Sequence, residues 1–342
     1  MIPSPSSMPC SAMTRFALCL SIALGLAAVR GQAQVVRDST GVTEFIGLSG
    51  WSPRRITDTL RILAPGKPIH QCAAILKSQL GFPEASVTYY SQPGVLVVTV
   101  LEPRDSSRVR YNIRPTESLP ISSNWRQLAA VADSQFRLLD VALLTWRYSA
   151  LTKDSAAAFL AQFGSSPDAI AHLWALIRDA GSKEMALELL SRDSSSARRR
   201  AAVASLIRFP SDPAVWRAIV RALRDPDEVA GFMAARVLEV FTNYSSRSVD
   251  WAPELESVRA ILDGTRLFHF PLLVHALNAT KVDPALAPRL LGNGGQLLLE
   301  YATAELAPVR ADVRTLLRRL TQTDAGSDGQ AWRDWIAAHS RH

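Results

Sequence analysis

The chain contains little cysteine, with three residues in 342, and Cys10 and Cys19 both lie within the first 33 positions. Only Cys72 remains beyond that segment. An intramolecular disulfide or a multi-cysteine metal site is therefore excluded for the rest of the chain. A domain of roughly 300 residues buries enough apolar surface to fold without either. We therefore expect Cys72 to be a small, buried apolar residue.

Signatures of catalysis are missing as well. The sequence has no Gly-x-Ser-x-Gly, His-Glu-x-x-His or Cys-x-x-Cys motif and no phosphate-binding loop. His269 and His275 stand six residues apart and do not share a helix face, so they do not predict a zinc site. We predict no catalytic residues, no cofactor-binding residues and no metal ligands.

Acidic residues are absent from positions 1–33. There Arg15 precedes an uncharged apolar run over residues 16–29, and small residues follow it up to Ala33. This order is typical of a secretory signal peptide cleaved near Ala33. Either Met1 or Met13 fits as the start, and a retained anchor is the alternative to cleavage. The predicted location is the periplasm or the outside of the cell, with no transmembrane helix after cleavage.

The charge balance is basic, with 38 Lys and Arg against 31 Asp and Glu, a net charge of +7. In an exported chain this balance fits an anionic surface polymer or lipid better than a nucleic acid. Arg198, Arg199 and Arg200 form a basic run at a predicted helix start, where positive charge opposes the helix dipole. They are candidate partner-binding residues, and a solvated helix face is the alternative.

An internal sequence repeat is the most informative feature of the chain. Arg192-Asp193 recurs 32 residues later as Arg224-Asp225, and Phe209 recurs as Phe241. A period of this size built from two short helices predicts an α-solenoid. With its alanine-rich helices and Arg-Asp-Pro-Asp turn, the segment over about residues 155–320 resembles HEAT or armadillo-like repeats. The predicted repeat domain spans residues 151–342.

The tail at residues 320–342 resembles the terminal motif of bacterial HEAT-repeat proteins, although Gln322 departs from it. Trp332 and Trp335 are three residues apart and share a helix face. They are predicted to seal the end of the apolar core as a terminal cap. An aromatic ligand clamp is the alternative.

Residues 35–115 show the element order strand, helix, helix, strand, strand. A first strand at Phe45–Leu48 precedes a helix that opens at Ser52-Pro53. A second helix is expected over Ile69–Leu80, and Val87–Ser91 and Val95–Leu101 form a hairpin. The last strand is apolar on both faces and is expected to be central or covered.

This βααββ unit resembles a POTRA domain in the stretches 66–69, 76–83 and 95–103. The resemblance implies binding of extended protein segments at a strand edge, with Tyr89 and Tyr90 as candidate partner-binding residues. A generic βααββ domain packed on the repeats is the alternative.

Residues 116–124 read as a polar linker, and an apolar spacing of three and four over residues 125–150 predicts one long bridging helix. The expected fold is mainly α, an α-α superhelix of HEAT-like repeats preceded by a small α+β domain. The expected function is an exported, non-catalytic scaffold that binds envelope proteins through a helical-repeat groove and a strand edge. The alternative is an envelope enzyme or regulatory subunit whose site is assembled from dispersed residues.

Overall fold

The computed structural model describes residues 34–38, 41–67, 69–92, 94–146, 160–243, 248–291, 295–324, 326 and 329–339. The predicted signal peptide at residues 1–33 lies outside the described residues. The chain is mainly helical, and a small four-stranded mixed sheet precedes most of the helices.

The strands and helices follow in chain order. The strands are β1 (Gln34–Asp38), β2 (Gly41–Ile46), β3 (Glu84–Tyr90) and β4 (Val95–Leu101). The helices among the described residues up to Trp146 are α1 (Pro53–Leu63), α2 (Ala73–Ser78), α3 (Ser123–Ser134) and α4 (Phe136–Trp146). The later helices are α5 (Pro167–Asp179), α6 (Lys183–Arg192), α7 (Ser196–Leu206), α8 (Pro213–Ala222), α9 (Glu228–Thr242), α10 (Leu255–Leu262), α11 (Phe270–Ala279), α12 (Ala287–Leu291), α13 (Gly295–Thr303), α14 (Arg310–Thr321) and α15 (Gln330–His339).

The sheet has the order β1-β2-β4-β3, with β2 parallel to β4 and the other two pairs antiparallel. The expected central position of β4 is confirmed. Strand β1 was not predicted, and it covers the outer side of β2, so that β1 and β3 form the two edges.

Helix starts follow the capping signals in the sequence. The hydroxyls of Ser52 and Ser166 accept hydrogen bonds from backbone N–H groups of the first turn, and proline follows each of them. The second predicted helix differs from its expectation. A 3-10 turn covers Ile69–Gln71, Cys72 leaves the helical region at φ −95° and ψ 0°, and only Ala73–Ser78 is α-helical.

The two faces of the sheet pack against different partners because side chains alternate along a strand. On one face Val98 and Val100 pack with residues of α1 and α2. On the other face Val95 and Val97 join the large core of the later helices. There the hydroxyl oxygens of Thr99 and Tyr301 lie 2.6 Å apart. The βααββ unit is therefore docked on the helices.

The later helices pack in sequential pairs, α6 on α7, α8 on α9 and α10 on α11. The second helices of these pairs, α7, α9 and α11, also contact one another in a row. This arrangement is mainly helical and layered, and a HEAT-like superhelix stays a prediction.

The single bridging helix expected over residues 125–150 is two helices in the structure. Gln135 interrupts them with φ −132° and ψ 41°. Helix α3 packs on α7 and helix α4 packs on α9, so the break lets each helix follow a different neighbour. The guanidinium of Arg200 lies 3.4 Å from the carbonyl oxygen of Ala132, in the last turn of α3.

Candidate binding surfaces

An extended segment of residues 109–121, here called the strap, crosses the ends of α6 and α8. Backbone hydrogen bonds fix it to both Arg-Asp turns. The N–H of Glu117 donates to the carbonyl of Arg192 at 3.2 Å, and the N–H of Asn112 donates to that of Arg224 at 3.0 Å. The predicted linker at residues 116–124 is thus bound to the helices over its first part.

The aspartates of the two turns are buried hydrogen-bond acceptors. The carboxylate of Asp193 accepts from the backbone N–H groups of Leu119, in the strap, and Ser195 at 3.0 and 2.9 Å. The carboxylate of Asp225 accepts from the backbone N–H of Asp227 at 2.8 Å. The repeated dipeptide therefore closes each turn from within.

The three consecutive arginines all form internal pairs. Arg199 is fully buried and donates to both carboxylate oxygens of Asp225 at 2.8 and 2.9 Å. Arg200 binds Asp227 in the same two-point manner at 2.8 and 2.7 Å, and Arg198 lies 3.1 Å from Asp193. These pairs account for positive charge at a helix start without a ligand. A partner-binding role for the arginines stays a prediction.

The predicted repeat and cap aromatics lie in or against the core. Phe241 is buried, with its ring centroid 5.2 Å from that of Trp216, and Phe209 is partly buried beside Arg208. Trp332 is buried, and its indole N–H donates to the carbonyl of Thr323 at 2.9 Å. Trp335 stacks on His339 with centroids 4.0 Å apart. Helix α15, which carries both tryptophans, contacts α12, α13 and α14.

The two candidate tyrosines of β3 point to opposite faces of the sheet. Tyr89 is 61% exposed, whereas Tyr90 packs against the large helical core and burial raises its pKa. Tyr89 is thus the more exposed of the two, and a partner-binding role for either tyrosine stays a prediction. The sequence could have shown this difference in exposure, because adjacent residues of a strand face opposite ways.

Three exposed apolar side chains that the sequence did not single out lie on segments that contact β3 or lead away from it. Phe268, 56% exposed, belongs to the 3-10 turn Leu267–His269, which lies against β3. Tyr111 of the strap is hydrogen-bonded to Glu84 at the start of β3. Ile113, two residues further along the strap, is 93% exposed. We call Tyr89, Tyr111, Ile113 and Phe268 the β3 surface.

A cavity of 680 Å³ continues from the strap toward the helices. Ile113 and Pro115 of the strap line one side, and Leu187 of α6 and Ala218 of α8 line the other. The β3 surface and this cavity share Ile113. The cavity lies beside the ends of α6 and α8, where the strap is bound.

Glu102 is a buried carboxylate whose role the sequence did not reveal. Burial opposes its ionisation, but the backbone N–H groups of Ser49, Trp51 and Gly50 donate to it at 2.7–2.9 Å and lower its pKa. The ionised side chain fixes the loop that leads into α1. The guanidinium of Arg104 is a further neighbour, with its Nε 3.5 Å from the carboxylate. The partners of Glu102 among the described residues all belong to the chain itself, so its role is structural.

The described residues contain no group of three or more His, Cys, Asp and Glu side chains that could hold a metal ion. His269 is buried, and burial together with Arg266 lowers its pKa to about 3. His275 lies 3.7 Å from a carboxylate oxygen of Asp312 on the surface. In the part of the chain that the structure describes, no helix is long and apolar enough to cross a bilayer.

Comparison of the chain with protein-family models, with curated proteins and with solved structures gives no match. The HEAT-like and POTRA-like resemblances therefore rest on the sequence stretches that suggested them.

Proposed function

We propose that the protein is a non-catalytic interaction scaffold of the cell envelope that binds an extended segment of a protein partner along strand β3. The observation that carries this proposal is the β3 surface. Tyr89 is exposed on β3, Phe268 and Tyr111 are exposed on segments that contact β3, and Ile113 is exposed two residues further along the strap. Scattered single apolar residues are normal on a protein surface, whereas a group around a sheet edge marks an interaction site.

The edge of β3 supports pairing with another strand. Strand β3 has seven residues, and β4 occupies only one of its sides. Among the described residues, no backbone hydrogen bond joins the outer side of β3 to another segment. An added strand gains affinity from main-chain hydrogen bonds and specificity from side-chain contacts.

The strap and the cavity beside it suit the part of the partner segment that extends beyond β3. The turns at Arg192 and Arg224 already hold one extended segment, the chain's own, through backbone hydrogen bonds. Beside it the cavity next to Ile113 leaves room for apolar side chains of a partner that runs on from β3. We infer that partner segments enter at Tyr89 and end beside α6 and α8. The periplasmic or secreted location is part of this proposal.

Site-specific crosslinking in cells tests the proposal. A photoreactive phenylalanine analogue is placed at Tyr89 or at Phe268, and captured proteins are identified by mass spectrometry. Phe163, which is 48% exposed on the helical part, is the matched control position. We expect the same exported protein at Tyr89 and Phe268 but not at Phe163. Equal capture at all three positions, or no capture at the two β3 positions, would contradict the proposal.

A further inference from the structure

A cavity of 490 Å³ opens between the sheet and helix α1, on the sheet face turned away from the large helical core. Its floor is a row of four side chains, one from each strand, because the strand registers place them side by side. These residues are Val36, Thr43, Leu96 and Tyr89. The roof comes from Leu60 of α1, from Ala64 at its C-terminal end, and from Ile69 and Cys72 after it.

The cavity exists because the helices are too short to cover this row. Helix α1 ends at Leu63, and α2 has only six residues. The two helices cover the part of the face that carries Phe45, Val98 and Val100, where the core is closed. The end of the sheet next to Gly41 and Gly94 is left with a gap. A volume of this size lies in the range of small-molecule sites.

Cations mark the mouth of the cavity. Lys67 and Arg61 belong to its lining, and the lining contains no carboxylate. Arg61 pairs with Asp58 at 3.0 Å, whereas none of the ion pairs among described residues involves Lys67. Lys67 and Cys72 both line the cavity. Burial raises the pKa of the Cys72 thiol, and the positive charge of Lys67 opposes that rise.

Apolar side chains also stand exposed next to the mouth. Ile62 and Leu63 in the last turn of α1 are 78% and 39% exposed, and Tyr89 lines the cavity itself. The interior is mainly apolar, the rim is apolar, and Lys67 has no ion pair among the described residues. Together these features match a ligand that is apolar along its length and anionic at one end.

We propose that this cavity binds a single-chain amphiphile with an anionic headgroup, its chain along the floor row and its headgroup at Lys67. This site adjoins the β3 surface, with which it shares Tyr89. A lipid that carries a carboxylate and one that carries a phosphate present the same chemistry to Lys67.

The test is a fluorescence titration of the full chain with 11-(dansylamino)undecanoate, a single-chain carboxylate. We expect saturable binding to one site. Lys67→Glu should weaken binding about three- to tenfold at low salt, because attraction at an exposed site becomes repulsion. Lys281→Glu makes the same charge change far from the cavity and should leave binding unchanged. A competing lysolipid that carries a phosphate reports whether that headgroup is preferred.

Thr57→Phe fills the cavity from α1 and should weaken binding more than tenfold, because the chain loses its space. If that variant does not fold, Thr43→Phe, which fills the same space from β2, replaces it. An uncharged dansyl amide of the same chain length should bind equally to the wild type and to Lys67→Glu. The proposal is overturned if the wild type shows no saturable binding, or if Lys67→Glu binds the carboxylate as tightly as Lys281→Glu does.

Discussion

The two Arg-Asp turns share the same dipeptide and have different surroundings. At the first turn Arg192 lies on the surface, where it binds Glu117 of the strap and Glu188 of its own helix. At the second turn Arg224 is buried, and its guanidinium donates to the carbonyl of Arg110 at 2.7 Å. The arginine of the same dipeptide therefore makes surface ion pairs at the first turn and an internal hydrogen bond at the second, because only the second arginine is buried.

The two turns also differ in the residue that stands six positions after the aspartate. Arg199 stands there after the first turn and reaches the aspartate of the second turn, Asp225. Gly231 stands there after the second turn, and a Cβ on it would lie 3.6 Å from the ring of His269. His269 is six residues after Asp263, at the end of α10. The same position, six residues after an aspartate, is therefore held by a paired arginine (Arg199), a glycine (Gly231) and a buried neutral histidine (His269).

The largest expected effect is at the second turn. Asp225→Ala leaves the fully buried guanidinium of Arg199 without its carboxylate, and we expect a loss of about 3–5 kcal/mol in the free energy of unfolding. Urea denaturation measures it. Asp58→Ala, which removes only exposed pairs on α1, is the control and should change little. A loss below about 1 kcal/mol would mean that Arg199 finds another partner or reaches water.

The buried neutral ring of His269 should make the free energy of unfolding depend on pH. His269 has a folded-state pKa of about 3 against an ordinary value of 6.5, so the unfolded chain binds a proton first as the pH falls. Its contribution to stability is complete above pH 6.5 and is lost progressively down to about pH 3. Relative to His269→Gln, the wild type should lose about 2 kcal/mol between pH 8 and pH 5. Parallel pH profiles of the two proteins would show that the ring is not held neutral.

The first turn should be less sensitive than the second. Asp193→Ala removes an acceptor from the N–H groups of Leu119 and Ser195, while Arg198 is partly exposed and can turn to water. We expect a loss of about 1–2 kcal/mol in the free energy of unfolding. Hydrogen exchange should also become faster in residues 117–119 of the strap. A loss as large as that of Asp225→Ala would remove the proposed difference between the turns.

The smallest effect is expected at the surface copy of the dipeptide. Arg192→Ala breaks exposed ion pairs with Glu117 and Glu188, and it should cost less than about 1 kcal/mol. Adding salt should reduce the difference further. A large loss that salt does not reduce would show that the strap depends on this side chain.

The sequence was most informative where local chemistry decides the structure. Ser52-Pro53 and Ser166-Pro167 mark helix starts because proline favours the first turn and the serine oxygen caps its N–H groups. The apolar run of β4 indicated a covered strand, because a strand that is apolar on both faces must be buried on both. Strand β1 was missed because Val35 and Val36 alone give too little alternation to identify a strand.

The sequence was least informative where distant segments meet. The pairing of Arg199 with Asp225 depends on the approach of two turns, so the arginine run was read as a candidate binding patch. The break at Gln135 depends on α3 and α4 following different helices, which a continuous apolar spacing cannot show. Phe268 became part of a candidate site only because its turn lies against β3.

Hydrogen exchange of strand β3, in the free protein and in the complex recovered by crosslinking, tests the central claim most directly. Residues 87–90 should exchange more slowly in the complex, because a partner strand takes up the open backbone groups of this edge. Strand β4 is already paired on both sides and should not change. Unchanged exchange in β3, with protection confined to other segments, would contradict the proposed mode of binding.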